Sequence, residues 1–166
     1  MNWLVFALMT VLSWGVYGIF LHSGQMGMAD PVNGRYKAFL FVGIAYFLTA
    51  VLAPLLTLVV RGSNWQFPAG GMWWSLFAGV VGAIGAFCVL LAFGAKGAPS
   101  VVMSIVFAGA PIVNAIGAML KHKPSSMNPM FFVGIALAAI GGCLVTYYNP
   151  AARPAPAPAT QMEKAK

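Results

Sequence analysis

The sequence predicts an all-α integral membrane protein with five transmembrane helices. The 166-residue chain is 61% hydrophobic and only 7% charged, and its mean hydropathy is +0.87. Its apolar residues fall into five runs, each long enough to cross a bilayer as a helix and free of Lys, Arg, Asp and Glu. Soluble domains carry about 25% charged residues, so we expect the lipid bilayer to be this chain's solvent.

The five runs, in chain order, are Trp3 to Leu21, Ala38 to Val60, Met72 to Gly94, Val101 to Leu120 and Met130 to Tyr148. The first is not predicted to be a cleaved signal peptide, because no basic residue precedes it and it exceeds the usual apolar core. Polar and turn-forming residues predict connections at 22–37, 61–71, 95–100 and 121–129. Residues 1–148 are thus a predicted membrane domain, and the Pro- and Ala-rich residues 149–166 a predicted disordered tail.

Composition also argues against several functions. The net charge is +7, but the basic residues are scattered singly, so we expect no binding to nucleic acid. Cys88 and Cys143 lie inside apolar runs without redox or ligand spacing and are interpreted as small packing residues. The sequence has no nucleophile and base pair, metal-ligand cluster or phosphate loop, so neither an enzyme nor a metal or cofactor site is predicted.

Small residues indicate where helices approach each other, because helix association in lipid depends on close backbone contact. Small residues four apart are Gly79 and Ala83 in the third run, where Gly82 lies between them, and Gly134, Ala138 and Gly142 in the fifth. This pattern predicts helix contacts. It leaves open whether the partner helix belongs to the same chain.

Five spans place the two termini on opposite sides of the membrane, so the basic residues can be compared by side. Three lie on the side of the N-terminus (Arg61, Lys121, Lys123) and six on the other (Arg35, Lys37, Lys96, Arg153, Lys164, Lys166). The positive-inside rule then favours an outside N-terminus. Without the two distant tail lysines the bias nearly vanishes, which leaves insertion in both orientations open.

The order of several short motifs resembles one known family. These motifs are Ser13-Trp14-Gly15, Arg35-Tyr-Lys-Ala38, Leu91 to Ala98, Ala98-Pro99-Ser100 with Ala110-Pro111, and Gly134 with Gly141-Gly142. Over residues 3–148 the chain resembles one five-helix EamA-type repeat of the drug/metabolite transporter superfamily. The resemblance implies half of a ten-helix transporter built from two inverted repeats around a substrate pathway. The missing half would be a second copy, antiparallel or parallel, or a different half-size chain.

One departure from the family pattern limits what can be carried over. Many such repeats have a Gly-Glu pair after the fourth helix, where this chain reads Leu120-Lys121-His122-Lys123. Any role of that acidic residue is therefore not expected here.

Polar and aromatic residues inside the spans are the candidates for a substrate pathway. Pro111 leaves the carbonyl of Phe107 without its helical donor and predicts a kink, with Asn114 one turn further along. Trp14 and Tyr17 share one face of the first helix. We expect Trp14, Tyr17 and Asn114 to line the pathway, with the alternative that Asn114 only bonds a neighbouring helix.

The polar residues after the first span are candidates for a loop or gate. His22, Asp30 and Arg35 belong to this group, and the alternative is a solvated loop with a local Asp–Arg pair. The two acids of the chain, Asp30 and Glu163, lie outside all five runs. With no carboxylate in a span to couple protons, a facilitator or exchanger is favoured over a proton-driven pump.

These observations together predict a small transporter subunit that functions as a dimer and moves an unidentified small metabolite by alternating access. A bacterial inner membrane suits the brevity of the chain and its lack of a recognisable targeting segment. The competing hypothesis is a non-transporting structural or assembly subunit that docks onto a larger membrane complex through its Gly-rich third and fifth helices.

Overall fold

The computed structural model describes residues 2–122 and 128–150, and it is 85% helical with no strand among them. The helices are α1 (Trp3–Gly27), α2 (Gly34–Phe47), a π-helical turn (Leu48–Leu52), α3 (Ala53–Val60), α4 (Ala69–Gly94), α5 (Pro99–His122) and α6 (Pro129–Tyr147). The predicted tail from residue 151 onward lies outside the described residues.

Five helical segments are long and apolar enough to cross a membrane. They are Trp3–Gly27, Gly34–Val60, Ala69–Gly94, Pro99–Lys121 and Pro129–Tyr147, with mean hydropathies between 2.0 and 2.5. The prediction of an all-α, multi-pass integral membrane protein is confirmed.

The connection between the first two spans is shorter than predicted. Residues 22–37 were expected to form a loop, but α1 continues to Gly27 and α2 already begins at Gly34. His22 and Gln25 remain helical because a polar side chain does not interrupt backbone hydrogen bonding where it can face another helix. The connecting turn therefore comprises only residues 28–33.

The second span is interrupted at Leu48–Leu52, where the helix widens to a π-helical turn and the Ala53 N–H donates to the Leu48 carbonyl. Pro54 follows directly, near the start of α3. Proline has no N–H and its ring clashes with the carbonyl four residues earlier, so the wider turn accommodates it. By contrast, α5 stays α-helical through Pro111.

The chain divides into two compact units after Gly97. In the N-terminal unit, α1 contacts α2, and α4 contacts both. The buried apolar side chains of this unit are those of Leu21, Ala38, Ala86, Val89, Leu90 and Phe93. The four on α4 recur at intervals of three and four residues, so one stripe near the end of α4 faces α1 and α2.

The C-terminal unit is a pair of helices, α5 against α6. Gly142 makes this contact close, because a Cβ at that position would overlap the Cβ of Ala108. At its start, α6 is capped by the Asn128 side chain, which accepts a hydrogen bond from the Met130 N–H at 3.0 Å.

Candidate functional site

A groove of about 510 Å³ runs along α1, α2 and the π-helical turn within the membrane-spanning part of the N-terminal unit. Most of its lining is apolar, but four hydroxyl-bearing side chains contribute: Ser13 and Tyr17 from α1, Tyr46 from α2 and Thr49 from the π-helical turn. We call it the hydroxyl groove. An apolar cleft with a few polar groups is the usual form of a small-molecule site.

Tyr17 contributes a buried hydroxyl to this groove. Its hydroxyl is buried and has no hydrogen-bond partner among the described residues. The Trp14 ring lies against the Tyr17 ring, with centroids 5.7 Å apart and planes inclined by 49°. Trp14 is not part of the groove lining. Of the two predicted pathway residues on α1, the structure therefore places Tyr17 in the groove and Trp14 beside it.

Pro54 and the turn before it were missed by the sequence reasoning. The signal was present, since Ala53-Pro54 lies inside the second apolar run, but proline alone does not say whether a helix kinks, breaks or widens. Within the turn, the Thr49 hydroxyl donates to the Ala45 carbonyl at 2.8 Å. Side-chain bonds of this kind help to satisfy backbone groups where a membrane helix departs from α geometry.

A second polar site lies at the end of the N-terminal unit, where α1 and α2 meet the last turns of α4. We call it the end cluster: His22, Gln25 and Arg35 with Leu90, Phe93 and Gly94. The Gln25 amide is buried and donates to the Leu90 carbonyl at 3.2 Å. The His22 ring meets the Phe93 ring edge-on, with centroids 5.6 Å apart. These contacts attach α1 to α4.

Arg35 lies against Gly94, the last residue of α4. A Cβ at position 94 would lie 3.0 Å from Arg35 Cδ and closer still to Nη1, so glycine is what admits the guanidinium there. The Arg35 side chain is half-buried, and its Nε, like His22 Nδ1, is buried without a hydrogen-bond partner in the described part of the chain. The Tyr36 ring centroid lies 5.2 Å from the guanidinium carbon, within the range of a cation–π contact.

Asp30 has a different partner from the one expected. An Asp–Arg pair was predicted, but the Asp30 carboxylate accepts a hydrogen bond from Lys37 Nζ at 2.7 Å. It also accepts from the backbone N–H groups of Val32 and Asn33 at 3.0 and 2.8 Å. The Lys37 hydrogen bond, with these backbone bonds, lowers the pKa of Asp30 to about 2. Asp30 therefore holds the turn before α2, and Arg35 is left free to face α4.

In the C-terminal unit, the Asn114 side chain is exposed on α5. A groove of about 800 Å³ follows the α5 and α6 contact and is mostly apolar. Thr146 lines it, and the Thr146 hydroxyl is buried without a partner among the described residues.

The predicted contact residues have different surroundings. Gly142 makes the close approach to α5 already described. Among the described residues, no atom lies within 4 Å of a Cβ built on Gly79, Gly82 or Gly134, and Ala83 and Ala138 are exposed.

Within residues 2–122 and 128–150, no three His, Cys, Asp or Glu side chains are grouped as metal ligands would be. Cys88 and Cys143 are free thiols.

No known protein family, curated protein or solved structure that was compared with this chain matches it.

Proposed function

We propose that the chain is one subunit of a small transporter that moves a metabolite across the membrane by alternating access. The observation that carries this proposal is the interrupted second span beside the hydroxyl groove. Transporters commonly form their substrate sites near the middle of the bilayer from helices whose regular winding is broken. Non-α backbone at membrane depth is tolerated where it is buried in protein or lines a cavity. Thr49 of the π-helical turn at Leu48–Leu52 lines the groove.

The buried Tyr17 hydroxyl gives this groove its proposed role in recognition, and Trp14, also a proposed pathway residue, packs against the Tyr17 ring. The hydroxyl can donate one hydrogen bond and accept another, and the aromatic faces can stack on a planar solute. Asn114, on α5 of the C-terminal unit, is also a proposed pathway residue, because its amide can donate and accept hydrogen bonds. With no carboxylate in a span, the proposed mode is facilitated diffusion or exchange.

The resemblance to an EamA-type half repeat supports a dimer, either of two copies in opposite orientations or with another half-size chain. The exposed small residues of α4 are consistent with such a partner, because they would permit close backbone contact with a second chain. A bacterial inner membrane is the proposed location.

Transport is tested with the full chain reconstituted into liposomes and offered labelled solutes of four classes: an amino acid, a hexose, a nucleoside and a dicarboxylate. We expect uptake of one class above that of empty liposomes. Tyr17→Phe and Asn114→Ala should each reduce uptake by about tenfold, the equivalent of about 1.4 kcal/mol. Tyr147→Phe, a change at an exposed position near the end of α6, is the matched control. Normal uptake by both variants would discard the site assignment, and no uptake of any class would count against transport.

Two further measurements test the assembly. A reporter active only inside the cell and another active only outside, each fused after Lys166, should both give signal if two copies insert in opposite orientations. Purification in mild detergent should yield a homodimer or a pair of half-size chains. Recovery only within a fixed larger complex would instead favour the structural-subunit hypothesis.

A further inference from the structure

We propose that Arg35, assisted by His22, binds a small oxyanion, a carboxylate or phosphate group, at the end cluster where α1 and α2 meet the last turn of α4. The inference does not require the proposed transport function, because binding can be measured separately.

The charge of Arg35 is not neutralised by the described part of the chain. Asp30, the acid among the described residues, is bonded to Lys37 at 2.7 Å. Two further basic residues, Lys37 and Lys96, belong to the same end of the unit, since they lie in the first turn of α2 and just after α4. This end therefore carries an excess of positive charge, which attracts an anion.

Two side-chain nitrogen atoms at this site are buried and form no hydrogen bond within the described part of the chain. Arg35 Nε and His22 Nδ1 are shielded from solvent, yet neither has a hydrogen-bond partner among the described residues. A buried polar group without a partner is costly, and an incoming oxyanion would remove that cost. Arginine suits this task, because its planar guanidinium can donate two parallel hydrogen bonds to a carboxylate or phosphate.

The surrounding contacts hold both side chains in place. Gly94 provides the space for the guanidinium, and Phe93, the preceding residue of α4, contacts the His22 ring. Gln25 attaches α1 to α4 one helical turn earlier, through the Leu90 carbonyl. An arginine that only extended toward lipid headgroups would not need a glycine beneath its guanidinium.

The oxyanion has two possible sources, a soluble anion or the phosphate of a lipid headgroup, and one experiment separates them. The full chain in nonionic detergent is unfolded by heat while its tryptophan fluorescence is recorded. Inorganic phosphate or acetate is titrated at constant ionic strength set with sodium chloride. In parallel, phosphatidylglycerol or phosphatidylcholine is added to the micelles.

We expect the anion to stabilise the wild type in a saturable way. In Arg35→Gln, the half-saturating anion concentration should rise by at least about tenfold, because a charge-assisted bidentate contact is lost. Arg35→Lys should bind with intermediate strength. Arg61→Gln, which removes a basic residue at the other end of the second span, is the control and should respond as the wild type does. His22→Phe should weaken binding less than Arg35→Gln.

Stabilisation by phosphate or acetate identifies a soluble anion, and stabilisation by phosphatidylglycerol alone identifies a lipid headgroup. The proposal is overturned if no probe stabilises the wild type, or if Arg35→Gln and Arg61→Gln respond equally. If Arg35→Gln fails to fold, anion binding by Arg35→Lys and Gly94→Ala tests the proposal instead. The alanine Cβ would displace the guanidinium while keeping its charge, so wild-type binding by both variants would also overturn the proposal.

Discussion

The two halves of α4 differ in what surrounds them, although both are apolar. Every residue from Ala69 to Gly85 is exposed, whereas Ala86, Val89, Leu90 and Phe93 are buried against the rest of the N-terminal unit. We call these the open half and the buried half. Hydrophobicity places the whole helix in the membrane, but it does not say which half contacts the chain's own helices. Contact depends on shape and on hydrogen bonds such as the one from Gln25.

The largest expected effect lies in the buried half. Leu90 is fully buried, so Leu90→Ala should leave a cavity and lower the free energy of unfolding by about 2 kcal/mol or more. In the open half, Val81→Ala should change it by less than about 0.5 kcal/mol, because Val81 is 67% exposed. Unfolding in mixed micelles with increasing dodecyl sulfate measures both. An equal loss of unfolding free energy in both variants would show that the open half is also packed against protein.

The next effect concerns the open half and the proposed second chain. Gly82→Leu should raise the dissociation constant of the dimer by about tenfold, because a large side chain prevents close backbone approach. Val81→Leu, at the preceding position, is the control. Fluorescence transfer between labelled copies in liposomes reports the dimer fraction. Unchanged association of the Gly82 variant would place the dimer contact elsewhere.

A smaller effect is expected for the hydrogen bond that joins the buried half to α1. Gln25→Leu removes the donor to the Leu90 carbonyl and should cost about 0.5–1 kcal/mol, as polar contacts between membrane helices typically do. Ser23→Ala, at an exposed position of the same helix, should have no measurable effect. The same detergent unfolding measurement applies, and a similar change in both variants would contradict the assignment.

Lys96, two residues after the end of α4, should respond in the opposite direction when it is replaced. Lys96 has a φ of 69°, a left-handed conformation that side chains disfavour, and its N–H donates to the Phe93 carbonyl in the turn that ends α4. Lys96→Gly should therefore stabilise the protein by about 0.5 kcal/mol, because the relief of backbone strain outweighs the added chain entropy. Ala95→Gly, where φ is −85°, should destabilise it. A stabilising Ala95→Gly would refute this explanation.

The smallest effect is predicted for acidification at the turn before α2. The pKa of Asp30 is lowered from 3.8 to about 2. A carboxylate with a lowered pKa contributes stability above its unfolded value, and that contribution is lost as the pH falls through the folded value. The wild type should therefore lose part of its thermal stability between about pH 4 and pH 2, whereas Asp30→Asn should lose less. Parallel curves for the two proteins would contradict the role of the ion pair.

The sequence alone predicts much of the fold, because a bilayer imposes a length and a polarity on each span. The five spans follow from that constraint. The ends of the spans do not follow from it, since α1 continues past His22 to Gly27. The widened turn before Pro54 was also not predictable, since proline is compatible with several helix distortions.

For the candidate site, the sequence indicated Tyr17 as a pathway residue and His22 and Arg35 as loop or gate residues. It could not assign contacts to His22 and Arg35, because their neighbours are distant in the chain: His22 meets Phe93, and Arg35 meets Gly94. Composition and apolar length determine that the chain lies in the membrane, because those properties belong to each segment separately. Which polar groups find partners and which remain free is decided only by the tertiary structure, because a hydrogen bond needs two groups at one place.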